Sequence, residues 1–453
     1  MRTLIESSYP ERPVKARVYV IALVLASLAG GALTALLIAM PGDGEVGRTS
    51  TTQICSPFGI YNPGSLDEVP GEPGRAMIAS LGLGSLGEYE DYSIGLVGEI
   101  GATWVRADFV YDHGTFHERP ELLGKYHENG LDVVGCIRPN NPDGLGDLSV
   151  FESGLRKLIG RYPWISVWQI GNEGNLGWNT ADDFARFFTS GQRVVREECP
   201  ACRVALGGVA TLRPSPEESY DSYKSIVASI ASSPTGGPRP FDIFDFHFYG
   251  YYGREPELVN YVGKYRDMLT ANDMENVEIW MTESATTTGT LAWPPGTPVQ
   301  TEEDQASALV KRFVAALDAD VERVSWARPY ENCNYAGVEG GYFDNTGLVY
   351  NGLGQESQRG ITSGTRKTAF RAYQTLASRL GKCFDVEVLA PNQYEFSFSD
   401  GRQPFYVVWG EPGSMLAEGI TGPVTITTLD GANSDVDADD FSPGPVPVFV
   451  KKR

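Results

Sequence analysis

Short runs of apolar, β-branched and aromatic residues recur along the chain from Pro57 onward: PFGIY (57–61), TWVRADF (103–109), DVVGCIR (132–138), SVWQIG (166–171), RVALGG (203–208), DIFDFHF (242–248), VEIWMT (277–282) and RVSWAR (323–328). Most are apolar through their centres, as strands buried on both faces must be. Successive runs start between 29 and 46 residues apart, room for a strand, a loop and a crossover helix rather than a hairpin. Helical spacing fills the gaps at Asp183–Glu198, Glu257–Leu269 and Glu303–Leu317, with Arg366–Leu380 after the last strand. Thr180 and Thr301 each precede an acidic first turn, a capping signal. Strands alternating with helices in this way predict an α/β fold, a (β/α)8 TIM barrel over residues 55–382. An open doubly wound sheet is the alternative, but no GxGxxG opens a helix after an early strand.

After Leu380 the period changes. VEVLA (386–390), QYEFSFS (393–399), PFYVVWG (404–410), VTITTL (424–429) and VPVFVKK (446–452) alternate and are separated by Gly, Asp, Asn and Pro, which predicts a small C-terminal β-sandwich over 383–453, packed on the barrel. About seventy residues are few for an independent domain. At the other end Val18–Met40 is an uncharged run of 23 residues, enough to cross a hydrocarbon core of about 30 Å. Arg2, Arg12, Lys15 and Arg17 precede it, and Asp43 and Glu45 follow it. The positive-inside rule therefore puts residues 1–17 in the cytoplasm, an N-terminal transmembrane anchor at 18–40, a tether at 41–54 and the rest outside. A cleaved signal peptide is the competing reading, though its apolar region spans only about 7 to 15 residues.

Charge narrows the partners. Lys plus Arg number 37 against 58 Asp plus Glu, a net charge of -21, with no basic block. Nucleic acid, which requires a concentrated cationic surface, is excluded as an expected partner. Hydrophobic residues at 42% exclude a mostly disordered chain. Six cysteines fit an exported protein in which some pair, without fixing which. Cys199-Pro-Ala-Cys202 reads as a small structural disulfide or two free thiols, since no second CxxC and no nearby histidine completes a zinc site. Cys136, inside an apolar run, reads as buried core.

In a barrel, chemistry sits at the C-terminal ends of the strands. Two carboxylates fall there: Glu173, after the fourth run in WQIGNEGN, and Glu283, after the seventh in EIWMTESA. Cleaving a glycosidic bond takes one group to protonate the leaving oxygen and another to attack or stabilise the oxocarbenium-like carbon, work that two carboxyls in different environments can share. The Asn172-Glu173 pair and the Trp280-Met-Thr-Glu283 stretch resemble the two catalytic motifs of the clan A glycoside hydrolases, retaining enzymes on (β/α)8 barrels. Arg106 in WVRADF resembles the arginine that holds the nucleophile ionised. His247 and Tyr249 in FDFHFYG resemble the His-x-Tyr that lines the site and hydrogen-bonds the nucleophile, and Trp326 resembles the aromatic floor under the reacting sugar. The resemblance covers roughly Cys55–Leu380; family 39 is the first choice and family 5 the second, and the trailing β-domain is similar to that of families 39, 5 and 30.

The resemblance implies that Glu283 attacks the anomeric carbon while Glu173 protonates the leaving oxygen and then activates water, with the carboxyls about 5 to 5.5 Å apart. Asn172 would bond the sugar 2-hydroxyl, and no metal or organic cofactor is implied. The substrate expected is an oligo- or polysaccharide. Each residue also has a plainer reading. A strand-end Glu can be a solvated loop residue, Arg106 can neutralise Asp108, and His247 can be a satisfied core histidine, although alternation puts it on one face with Asp245 and Tyr249. His113 and His117 can touch substrate or face water. Trp178, Trp293 and the aromatics of the Gly-rich segment from Pro329 to Thr365, among them Tyr330, Tyr335, Tyr342 and Phe343, are candidates for stacking on sugar or for the core. Keeping both glutamates argues against a non-catalytic carbohydrate-binding barrel.

Overall fold

The computed structural model describes residues 54–65, 72–142, 147–211, 215–233, 239–289, 291, 298–332 and 340–453. The apolar run Val18–Met40, residues 41–53 of the tether, Trp293, Cys333 and Tyr335 lie outside the described residues, among which no helix is long and apolar enough to cross a membrane.

All eight apolar runs form strands: β1 (Phe58–Tyr61), β2 (Trp104–Asp112), then after a short β3 (Thr115–His117), β4 (Asp132–Pro139), β5 (Val167–Ile170), β6 (Arg203–Ala210), β7 (Ile243–Tyr249), β8 (Glu278–Ala285) and β9 (Val321–Trp326). Apart from β3, which hairpins antiparallel onto β2, they are parallel, and pairing of β1 with both β2 and β9 closes the barrel. Helices α1 (Glu72–Ser80), α2 (Leu86–Ile100), α3 (Pro120–Glu128), α4 (Leu148–Arg161), α5 (Ala181–Glu198), α6 (Pro216–Ala231), α7 (Glu255–Thr270), α8 (Glu302–Asp318), a short α9 (Gln355–Gln358) and α10 (Thr368–Leu380) connect them. The expected caps are present: Thr180 accepts from the Asp183 amide, and Thr301 and Asp304 bond reciprocally.

Six strands each send one side chain, Trp104, Val134, Val167, Ala205, Ile243 and Trp280, into the lower barrel, where they form a core separate from the main one. The Arg323 guanidinium lies over both indoles. This apolar plug makes the barrel a packed body, with a polar layer above it.

The all-β unit is one six-stranded antiparallel sheet in the order β10 (Asp385–Ala390), β11 (Gln393–Ser397), β12 (Phe405–Val408), β15 (Val448–Lys452), β13 (Pro423–Thr427), β14 (Asn433–Asp437). Alternation divides its faces. Phe396, Phe405, Val407 and Phe449 join the main core, whereas Tyr406, Val408, Val424, Ile426 and Val450 form a second small one. A Cys55–Cys383 disulfide and an Ile54–Phe384 bridge tie the entry of β1 to this sheet. Cys199 and Cys202 form the second disulfide, and Cys136 is a buried free thiol.

Candidate active site

Above the plug the interior positions turn polar, and their side chains converge. Arg106, two residues beyond Trp104 on β2, is fully buried. Its Nη1 donates to Glu283 Oε1, its Nη2 to Asn172 Oδ1 at 2.6 Å and to Cys136 Sγ at 3.0 Å, and its Nε to Gln169 Oε1 at 2.5 Å. Glu283 is almost wholly buried, and its second oxygen accepts from the Tyr249 hydroxyl. Burial pushes the Glu283 carboxyl above the ordinary glutamate range and the charge of Glu173 pushes the same way; His247, Arg106 and the Tyr249 hydroxyl oppose them.

Glu173 stands across the mouth, its side chain about a quarter exposed. His247, fully buried on β7, places Nδ1 3.0 Å from Glu173 Oε1 and Nε2 3.6 Å from Glu283 Oε1. One oxygen of Glu173, one of Glu283 and a ring nitrogen of His247 all lie within 4.8 Å of one another. That is also a spacing a divalent cation could bridge, but burial, which alone would lower the ring's pKa, is outweighed by the surrounding carboxylates, and His247 is raised to about 10. At neutral pH the ring therefore has no free lone pair for a metal.

The backbone explains how Glu173 reaches this position. It sits at φ +45°, in the left-handed region that non-glycine residues seldom occupy. On either side, a Cβ at Gly171 or Gly174 would strike the Phe184 ring of α5. Tyr223 of α6 staples the turn in place: its hydroxyl accepts from the Gly174 amide at 2.9 Å and contacts the Gly207 and Gly208 carbonyls at 2.6 and 2.7 Å. Two register shifts flank the site, one between Leu206 and Val209 on β6 against β7, the other where β8 inserts Thr282 opposite the Phe246–His247 step. The second lets Thr282 and Glu283 both serve the interior, Thr282 bonding Asp245 and Glu283 bonding Arg106.

Of the residues singled out from sequence, the structure thus brings Glu173, Glu283, Arg106, Asn172, His247 and Tyr249 together. Trp326 departs from expectation. It is fully buried, packs against Phe313 of α8 and donates its indole N–H to the Thr346 carbonyl at 2.8 Å. A ring with no accessible face cannot floor a sugar site, so that assignment is corrected. Phe343 offers a partly exposed ring at the site, edge-on to Tyr249 with centroids 5.3 Å apart. Trp178 is half-buried against Phe184 and Phe187. His113 and His117 lie on the β2–β3 hairpin; His113 lines a 290 Å³ depression with Asp112, Asn141 and Asp147.

Sequence reading gave no role to Gln169, Thr282, Gly207 or Gly208. A glutamine and a threonine inside apolar runs, and a glycine pair inside a strand, were the available signals.

No protein-family model matches the chain, and no curated protein does. Among solved structures, a glucosidase from Croceicoccus marinus is similar over 79% of this chain and 90% of its own, with a TM-score of 0.57 at 14% identity. An α-L-arabinofuranosidase from Thermotoga maritima, in its arabinose complex, is similar over 81% and 90%, with a TM-score of 0.52 at 12% identity. At such identities the likeness is one of fold.

Proposed function

We propose that the protein is a retaining β-glycoside hydrolase that cleaves a polysaccharide by double displacement. The observation that carries this reading is the Glu173–Glu283 pair at the barrel mouth, with carboxylate oxygens inside 4.8 Å. Inverting enzymes keep their carboxyls about 6.5 to 9.5 Å apart to admit a water, whereas retaining ones hold them about 5 to 5.5 Å apart. In this scheme Glu283, held by Arg106 and Tyr249, attacks the anomeric carbon from one face. Glu173 protonates the departing oxygen, then takes a proton from the water that releases the glycosyl-enzyme. Asn172 gives its carbonyl oxygen to Arg106, which leaves its Nδ2 to donate to the sugar 2-hydroxyl. Phe343, edge-on to Tyr249, supplies apolar ring surface for the sugar's CH faces. The motif order resembles clan A, with family 39 as the first assignment and family 5 the second; the glucosidase and arabinofuranosidase with the same fold support a carbohydrate substrate.

The cellular setting is part of the proposal. Val18–Met40 would anchor the chain with its catalytic part outside the membrane, and the two disulfides suit an oxidising compartment. A tethered hydrolase acts close to its own cell, which suits trimming or release of a cell-surface or exported polysaccharide.

The test is reducing-sugar release by the full chain from β-linked polysaccharides and aryl glycosides, beside Glu283→Gln and Glu173→Gln. We expect turnover with retained anomeric configuration, and losses of about 10²-fold or more in each variant. Glycan binding without turnover, unchanged by either substitution, would overturn the enzyme reading and leave a tethered lectin-like protein.

A further inference from the structure

Below the carboxylate pair lies a third carboxylate that the double-displacement scheme does not use. Asp245, on β7, is fully buried. One of its oxygens accepts from the Thr282 amide at 2.9 Å; the other accepts from the Thr282 hydroxyl at 2.6 Å and from Gln169 Nε2 at 2.5 Å, and stands 3.3 Å from His247 Nε2. The amide of Gln169 cannot turn round, because its Oε1 already accepts from Arg106 Nε. Four donors therefore converge on one carboxylate. The result is a continuous chain from Arg106 through Gln169 and Asp245 to His247, closing on Glu173 and Glu283.

His247 is the hinge of that chain. Its Nδ1 faces Glu173, and its Nε2 faces Asp245 and, further off, Glu283. Both nitrogens thus point at carboxylates, and a proton on each satisfies all of them. The charged and titratable groups around the ring are Asp245 and Tyr249 from its own strand, Glu283 from β8, and Glu173 from the turn after β5. Arg106 of β2, with Cys136 of β4 against it, lies behind Glu283. β6 contributes only Gly208, where a Cβ would fall inside contact distance of His247 Nε2 and Asp245 Oδ2. The barrel therefore leaves out a side chain at the one wall position that would part this aspartate from this histidine.

We propose that Asp245 is a positioning residue that anchors His247 as a permanent imidazolium between Glu173 and Glu283, and thereby sets the pH range over which Glu283 is ionised. The second half rests on the reading of Glu283 as the nucleophile; the first half does not. The sign follows from the geometry. In Asp245→Asn the carbonyl oxygen keeps Gln169 and His247 while the amide nitrogen meets the Thr282 amide, so the ring keeps an acceptor but loses the buried negative charge that holds its second proton, and it sheds that proton at lower pH. Loss of the ring's charge removes the strongest influence lowering the Glu283 pKa. The Asp245 charge lost at the same time acts the other way, but it sits behind the ring, so the nearer charge decides. The acidic limb of kcat/KM must then move to higher pH.

The experiment is NMR of the full chain carrying ¹⁵N-histidine, beside pH–rate profiles of the parent and Asp245→Asn. The chain has four histidines, so His247→Asn assigns the signal by its disappearance. We expect the parent ring to stay doubly protonated to about pH 9, and the variant ring to titrate at least about two pH units lower. In the variant the acidic limb should rise by about one pH unit. A parent ring that titrates in the ordinary histidine range overturns the proposal, and this measurement needs no variant to fold. So does an Asp245→Asn enzyme that loses kcat with ring titration and limb both unmoved, the mark of a purely structural staple between β7 and β8. Should the ring behave as expected while no glycoside is hydrolysed, the anchoring stands and the glycosidase reading falls.

Discussion

At the scale of single residues, Glu283 is where competing forces decide the chemistry. A nucleophile must be ionised, yet burial raises its pKa and only His247, Arg106 and the Tyr249 hydroxyl counter that. Activity should therefore fail on the acid side at a pH above the ordinary glutamate value, since the group is lost to protonation as pH falls through a raised pKa. Tyr249→Phe removes a donor that favours the charged form, so the acidic limb should move higher still. A lost hydrogen bond to a charged group costs about 1.5 to 3 kcal/mol, which corresponds to roughly one to two pH units. A pH–rate profile of the variant checks this; a limb that stays put or moves lower would mean that Tyr249 does not act on the ionised carboxylate. Six of the side chains in the cluster were legible from sequence: Glu173 and Glu283 because strand-end carboxylates face the catalytic mouth of a barrel, and Arg106, Asn172, His247 and Tyr249 through the motif resemblance. Trp326 was not, because facing is a matter of parity. It turns outward onto Phe313, a facing that a motif resemblance does not fix.

At the scale of elements, parity fails wherever a bulge intervenes, and two of the three register shifts among the barrel's parallel strands border the site. Strict alternation would send Thr282 and Glu283 to opposite faces of β8; the inserted residue against Phe246–His247 brings both to the interior. No spacing rule read from one chain announces that. The glycine pair of β6 is the complementary case, since Gly207 packs against the Gly171 backbone and Gly208 against the His247–Asp245 pair. Gly208→Ala should leave the outer barrel intact, because the atoms nearest the added methyl are those of the inner His247–Asp245 pair. It should cost about 1 to 3 kcal/mol of stability as an overpacked site and displace His247. Thermal melting and kcat measured together provide the check: a variant that folds with a modest drop in melting temperature but keeps full turnover would show that the ring's position is unimportant. The long segment after β9 is held just as firmly at the catalytic end. The Tyr342 hydroxyl donates to the Ala285 carbonyl at 2.9 Å, and the fully buried Lys367 pairs with Glu331 and donates to Thr288 at 2.8 Å. Its aromatics suggested sugar stacking or core, but composition does not reveal a buried ion pair that fixes it.

At the scale of the whole molecule, the eight strands and the all-β appendage were legible because period and spacing survive without tertiary detail, whereas the closure between the two ends of the barrel segment was not. Six cysteines allow many pairings, and only the fold brings Cys55, ahead of β1, against Cys383, ahead of β10. That bond spans 328 residues, and the chain-entropy account assigns such a loop about 5 kcal/mol or more of stabilisation, while measured disulfides fall at about 2 to 4 kcal/mol. It enters at the N-terminal end of β1, beneath the Trp104–Trp280 plug, whereas Glu173 and Glu283 sit beyond the C-terminal ends of β5 and β8. Stability and catalysis are thus separated by the depth of the barrel. The double variant Cys55→Ser/Cys383→Ser should melt a few degrees lower, at about 1 °C for each kcal/mol lost in a chain of this length. Its kcat/KM at 25 °C should match that of the parent, because Arg106, Gln169 and Asp245 keep their partners whether or not the ends are joined. Reductant should lower the parent's melting temperature towards that of the variant and move the variant's far less, since only the short Cys199–Cys202 loop is left there to open. Loss of activity in the folded variant would show that the lower closure and the upper site are one mechanical unit, and that the plug transmits strain rather than isolating the carboxylates from it.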